Sequence, residues 1–118
     1  MTRALALAAV VALVSVAHAH STLVRALPTA RSTVKAPPER VQLWFSERLE
    51  PAYSSASVWQ ANQRLDRGDA AVSPQDDKLL TVALPVLAPG KYVVRYRVLS
   101  VDGHVVEGNF PFTVTGGK

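Results

Sequence analysis

The stretch LAPGKYVVRYRV, residues 87–98, sets one face of Tyr92, Val94, Tyr96 and Val98 against another of Lys91, Val93, Arg95 and Arg97. That period of two marks a strand buried on one side and wet on the other, as in antiparallel sheets. Pro89-Gly90 is a turn signal, and Tyr92 opens the strand two residues after it. The arrangement resembles a tyrosine corner, whose hydroxyl ties back to upstream backbone; a plain tyrosine at the edge of a core reads the same way.

Working outward, NFPFTVT (109–115) alternates Phe110, Phe112 and Val114 with Asn109, Thr113 and Thr115. Pro111 has no N–H to give a ladder, so this strand is expected to be an edge or to bulge there. Upstream, VQLWF (41–45) has the apolar face Val41, Leu43 and Phe45, although Trp44 on the other face blurs it. Further strands are expected at Thr22–Leu27, Ala56–Gln60 and Leu79–Leu84. The spacers LPTARSTVKAPPER, DRGDA, SPQDD and LAPG carry turn chemistry, and no stretch beyond the first 20 residues keeps a helical period for three turns. About seven short strands predict an all-β, immunoglobulin-like Greek-key sandwich.

The chain opens MTRALALAAVVALVSVAHAH: a basic start at Arg3, an apolar run from Ala4 to about Val16, then small residues. This is the layout of a secretory signal peptide, with Ala17 and Ala19 forming an A-x-A cleavage site. The run is shorter than the roughly 20 residues that span a bilayer. Residues 1–19 are therefore expected to be removed, leaving 20–118 as one exported, periplasmic domain with His20 first. Cleavage after Ala17 competes, because Ser15 is also small. Loss of 1–19 leaves 99 residues, 12 basic against 9 acidic, and no cysteine. Disulfides, thiolate metal sites and thiol redox chemistry are thereby excluded. The basic residues Arg25, Arg31, Arg40, Arg48, Arg64 and Arg95 are scattered in sequence, which reads as a solvated surface rather than a nucleic-acid footprint.

Of three histidines, His18 would leave with the signal, and His20 and His104 would remain. An N-terminal histidine can close its α-amine and its ring on one metal ion, a chelate no internal histidine makes. The amine titrates near 8 and an imidazole near 6.5, so both are available at neutral pH. SVDGHVVEGNF (100–110) supplies Asp102 and His104 on either side of Gly103. If extended, residues two apart point to one side, and the glycine leaves the approach open. Amine, two imidazoles and a carboxylate suit Cu(II) in a tetragonal plane, while zinc can use the same groups in a tetrahedron. Asp-Gly is equally a common turn, and the histidine beside it reads equally as a solvated one.

The segments HSTLVRALP (20–28), VQLWFSERLEPAYS (41–54) and PGKYVVRYRVLSVDGHVVEGNFPFTV (89–114) together resemble the CopC family of periplasmic copper-resistance proteins. The resemblance covers nearly all of 20–118. It implies an immunoglobulin-like barrel or sandwich that binds one Cu(II) per chain through His20, by amine and ring, with Asp102 and His104. It places Glu47, of Phe45-Ser46-Glu47, near the metal as a weak ligand or an outer partner; a surface glutamate beside Arg48 is the simpler reading. A carboxylate such as Glu47 or, less directly, Glu107 would orient His104 by accepting its free N–H. It also implies an inner-membrane copper-transport partner of the CopD type. Two departures stand out. The only methionine is Met1, so the methionine-rich Cu(I) site of some members is not expected. Val105 stands where proline often follows the histidine.

The function expected is a non-enzymatic periplasmic Cu(II) carrier or buffer in copper homeostasis. A histidine-brace oxidative copper enzyme and a metal-free structural module are the competing classes. The brace enzyme needs an open, redox-cycling copper, which a hard carboxylate ligand disfavours.

Overall fold

The computed structural model describes residues 22–116; the signal segment and His20 lie outside the described residues. Among the described residues nine strands run in chain order: β1 (Leu23–Leu27), β2 (Thr33–Val34), β3 (Arg40–Phe45), β4 (Ser55–Gln60), β5 (Gln63–Arg64), β6 (Ala71–Val72), β7 (Leu79–Ala83), β8 (Gly90–Leu99) and β9 (Val105–Val114). They form two sheets, of order β1-β3-β7-β6 and β2-β9-β8-β4-β5, antiparallel except for the β2–β9 pair. The result is the immunoglobulin-like sandwich expected. Six strands have five or more residues and lie where alternation places them, within a residue or two at each end except that β9 begins at Val105, four residues before the stretch read from sequence. The other three have two residues each, too few to show a period; β2 sits in a stretch read as a spacer, and β5 and β6 were not expected.

The alternation becomes the core. Val41, Leu43 and Phe45 of β3, Tyr92, Val94 and Val98 of β8, and Phe110, Phe112 and Val114 of β9 are all buried between the sheets. Burying a side chain of this size contributes about 1.5–3 kcal/mol. Tyr96 departs from its face by remaining half-exposed. Its cross-strand partner is Gly108, which has no side chain to cover the ring, and the ring packs edge-on against Phe45 at 5.5 Å.

Trp44, which blurs the β3 pattern, lies on the outer face. The guanidinium of Arg25, its register partner on β1, covers the ring 4.7 Å from the centroid. On the other sheet Arg95 covers Trp59 at 4.8 Å. Arg64 pairs with Asp66 and Arg97 with Glu107. Arginines scattered in sequence are thus used locally to cover aromatics and to pair carboxylates.

Tyr92 forms the tyrosine corner. Its hydroxyl donates to the Ala88 carbonyl at 2.5 Å, and its ring stacks on Phe112 at 5.5 Å. Tyr92→Phe keeps the ring and removes one hydrogen bond, so unfolding stability should fall by about 1 kcal/mol. Urea denaturation should show a lower midpoint at unchanged slope.

Pro111 is neither on an edge strand nor at a bulge: β9 lies between β2 and β8, and Pro111 stands two residues before the short pairing with β2 begins. The β8–β9 register is unbroken from Gly90↔Val114 to Leu99↔Val105, with Val93 opposite Pro111. The Pro111 carbonyl accepts the Arg31 N–H at 2.7 Å, on the side away from β8. Nitrogen and carbonyl of one strand residue face the same way, so the missing N–H also points away from β8 and costs the ladder nothing.

Candidate metal centre

Strands β8 and β9 form a hairpin whose loop is Ser100–His104. Its five residues are held as a turn, not as extended chain. The Gly103 N–H donates to the Ser100 carbonyl at 2.9 Å, and the Ser100 N–H to the His104 carbonyl at 2.9 Å. Gly103 has φ +91°, a backbone state that a side chain disfavours, and open space surrounds the position a Cβ would take. The extended geometry expected of Asp-Gly-His is therefore replaced by a tight turn, which brings Asp102 and His104 closer than a strand would.

In that turn Asp102 Oδ1 lies 3.1 Å from His104 Nδ1 and accepts the His104 backbone N–H at 3.2 Å. Oδ1 also accepts the hydroxyl of Ser100. The Ser100 hydroxyl, with further help from His104, holds the Asp102 carboxyl below its ordinary pKa against a smaller opposing effect of desolvation. An ionised carboxylate and an imidazole are thus side by side, with side chains 35% and 40% exposed, although Nδ1 itself is buried.

One other segment meets this turn, and a second is tied to that segment. The Val101 N–H donates to the Arg48 carbonyl at 2.9 Å, and Leu49 bridges Ser100, so the segment carrying Glu47 runs beside the hairpin loop. Thr22 and Ser46 are joined twice: Ser46 N–H to the Thr22 carbonyl, and Thr22 N–H to Ser46 Oγ, both at 2.9 Å. Thr22, Tyr96 and Val106 also line one open cleft of about 410 Å³. The start of the described chain, the Phe45-Ser46-Glu47 corner and the Asp102–His104 turn therefore share one end of the sandwich.

The site residues expected from sequence fare differently. Asp102 and His104 are brought together. Glu47 is half-buried in the neighbouring corner, but among the described residues no three histidine or acidic side chains close on a common point. Glu107 is turned to Arg97, 2.6 Å away, and is exposed. Sequence reasoning passed over Ser100; a serine two residues before an Asp-Gly turn was the available signal.

Fold and site define a small immunoglobulin-like domain that presents hard nitrogen and oxygen donors on an end loop. Comparison with known proteins makes this specific. The model of the CopC domain matches residues 23–115. Protein YobA of Escherichia coli (strain K12) is 39% identical over 100 residues, covering 83% of this chain and 79% of the relative. Copper resistance protein C of Escherichia coli is 36% identical over 106 residues, covering 83% of each. The crystal structure of CopC from Methylosinus trichosporium OB3b superimposes with a TM-score of 0.77 at 44% identity, covering 84% of this chain and 97% of the other. The chain belongs to the CopC family.

Proposed function

We propose that this protein binds one Cu(II) ion in the periplasm and acts in copper resistance as a carrier or buffer rather than as an enzyme. The reading assigns the metal to the amine and imidazole of His20 with Asp102 and His104, after cleavage behind Ala19. The observation that carries it is the convergence of three chain segments at one end of the sandwich. Thr22 is fixed to Ser46, next to Glu47, and the Glu47 segment is fixed to Val101, next to Asp102. Two residues of chain reach at most about 7 Å, and the reading asks His20 to span no more than that from Thr22. Relatives named for copper resistance support copper as the cargo.

Glu47 is assigned an outer role, as a weak ligand or as a partner that steadies a ligand. A metal held by exposed groups is also open to transfer, which suits delivery to an inner-membrane transporter of the CopD type.

The test is titration of the processed protein with Cu(II), followed by reduction and by acid. One equivalent should bind. Ascorbate should release it, because Cu(I) prefers soft sulfur and the chain has no cysteine and no methionine beyond Met1. Lowering the pH below about 6 should also release it, as protons compete for the amine and imidazole nitrogens. Absence of Cu(II) binding overturns the reading; tight retention of Cu(I) against a competing chelator overturns its Cu(II)-only form.

A further inference from the structure

Ser100 is one of two buried polar side chains among the described residues, and it is only 1% exposed. It ties the hairpin loop at three points. Its N–H goes to the His104 carbonyl, its carbonyl receives the Gly103 N–H, and its hydroxyl meets Asp102 Oδ1. The His104 carbonyl also lies 3.3 Å from Ser100 Oγ. A hydroxyl has one proton, and that carbonyl already takes the Ser100 N–H, so the proton goes to the carboxylate, the charged and stronger acceptor.

This divides the labour of the two carboxylate oxygens. Oδ1 receives the Ser100 hydroxyl and the His104 N–H and faces His104 Nδ1, whereas none of these contacts involves Oδ2. Rotation of the carboxylate would break all of them together. Because Ser100 is buried, water cannot readily replace its hydroxyl.

We propose that Ser100 is a positioning residue of the copper site, locking Asp102 through Oδ1 so that Oδ2 is offered to the metal as a single, pre-aimed ligand. The inference rests on the assignment of Asp102 as a copper ligand. Ser100 does not touch the ion. It removes in advance the freedom that Asp102 would otherwise lose on binding, as outer partners of metal ligands do.

The test compares Ser100→Ala, Asp102→Ala and the double variant. Each full chain is expressed for export and its N-terminus checked by mass. Cu(II) affinity is measured by chelator competition, the paramagnetic resonance spectrum of the Cu(II) form is recorded, and thermal unfolding of the apo form is followed. Ser100→Ala leaves the backbone bonds of the loop intact, so the apo protein should still unfold cooperatively. It should bind Cu(II) about 10–100-fold more weakly, with a spectrum shifted toward that of Asp102→Ala. Adding Ser100→Ala to Asp102→Ala should cost little more, because Ser100 acts through that carboxylate.

If Asp102→Ala weakens binding but Ser100→Ala keeps the parental affinity and spectrum, the positioning role is overturned and the ligand assignment stands. Full additivity in the double variant overturns it too, since Ser100 would then act by another route. If Asp102→Ala itself changes nothing, the copper-ligand reading fails first, and the inference falls with it.

Discussion

One glycine added ahead of His20 should cost the processed protein at least about a hundredfold in Cu(II) affinity, although every original side chain is kept. The addition turns the His20 amine into an amide, whose nitrogen can donate only after losing its proton, and moves the new amine one residue away. The six-membered chelate ring that the amine and ring nitrogen of one histidine would close on the metal is lost. Folding should be untouched, because the described core begins at Leu23 and the corner at Thr22–Ser46 is made by backbone and hydroxyl. The readouts are affinity by competition and the Cu(II) paramagnetic resonance spectrum, both of which should change. Equal affinity together with an identical spectrum would mean that the N-terminal half of the site does not exist. The same experiment decides between the two cleavage positions. A chain beginning at His18 carries a free amine two residues before a histidine and would bind Cu(II) through backbone nitrogens, with its own spectrum.

His104→Ala and Asp102→Ala should each weaken Cu(II) binding by well over an order of magnitude, since loss of a direct ligand should at least match the loss of an outer partner. Asp102 has a second duty in the turn, so Asp102→Asn is the cleaner variant. An amide oxygen can still accept the Ser100 hydroxyl and the His104 N–H, but it carries no charge and is a poorer ligand for a hard cation. Asp102→Asn should therefore fold with its loop intact and still lose more than about tenfold in affinity. Parental binding by both His104→Ala and Asp102→Asn would return this loop to the status of an ordinary hairpin turn.

Much of this was legible without coordinates. Alternation in 41–45, 91–98 and 109–115 named nine of the core side chains, and burial confirms them. The Pro-Gly-x-Tyr pattern carried the tyrosine corner, which needs only a turn and a strand start in the right register. The Asp-Gly-His stretch could be read as a turn or as a donor pair, and the structure makes it a turn in which the carboxylate and the imidazole lie side by side. Two readings failed for local reasons. Tyr96 was placed in the core because its strand period put it there, but a partner glycine on β9 leaves its ring half-open. Asp102 and His104 were aligned by assuming extended chain, whereas Gly103 at positive φ makes the pairing tighter.

By itself, then, the sequence determined which residues face inward, where the chain turns, and that the donors on offer are nitrogen and oxygen rather than sulfur. These properties live in side-chain order and type, which repeat along a strand and need no partner to be read. Only the tertiary structure decided that Thr22 joins Ser46, that Arg48 receives the Val101 N–H, and that Ser100 is sealed beneath Asp102. The first two of those contacts join segments far apart in sequence through backbone hydrogen bonds. Every non-proline residue offers the same N–H and carbonyl, so no side-chain pattern reveals which of them will meet.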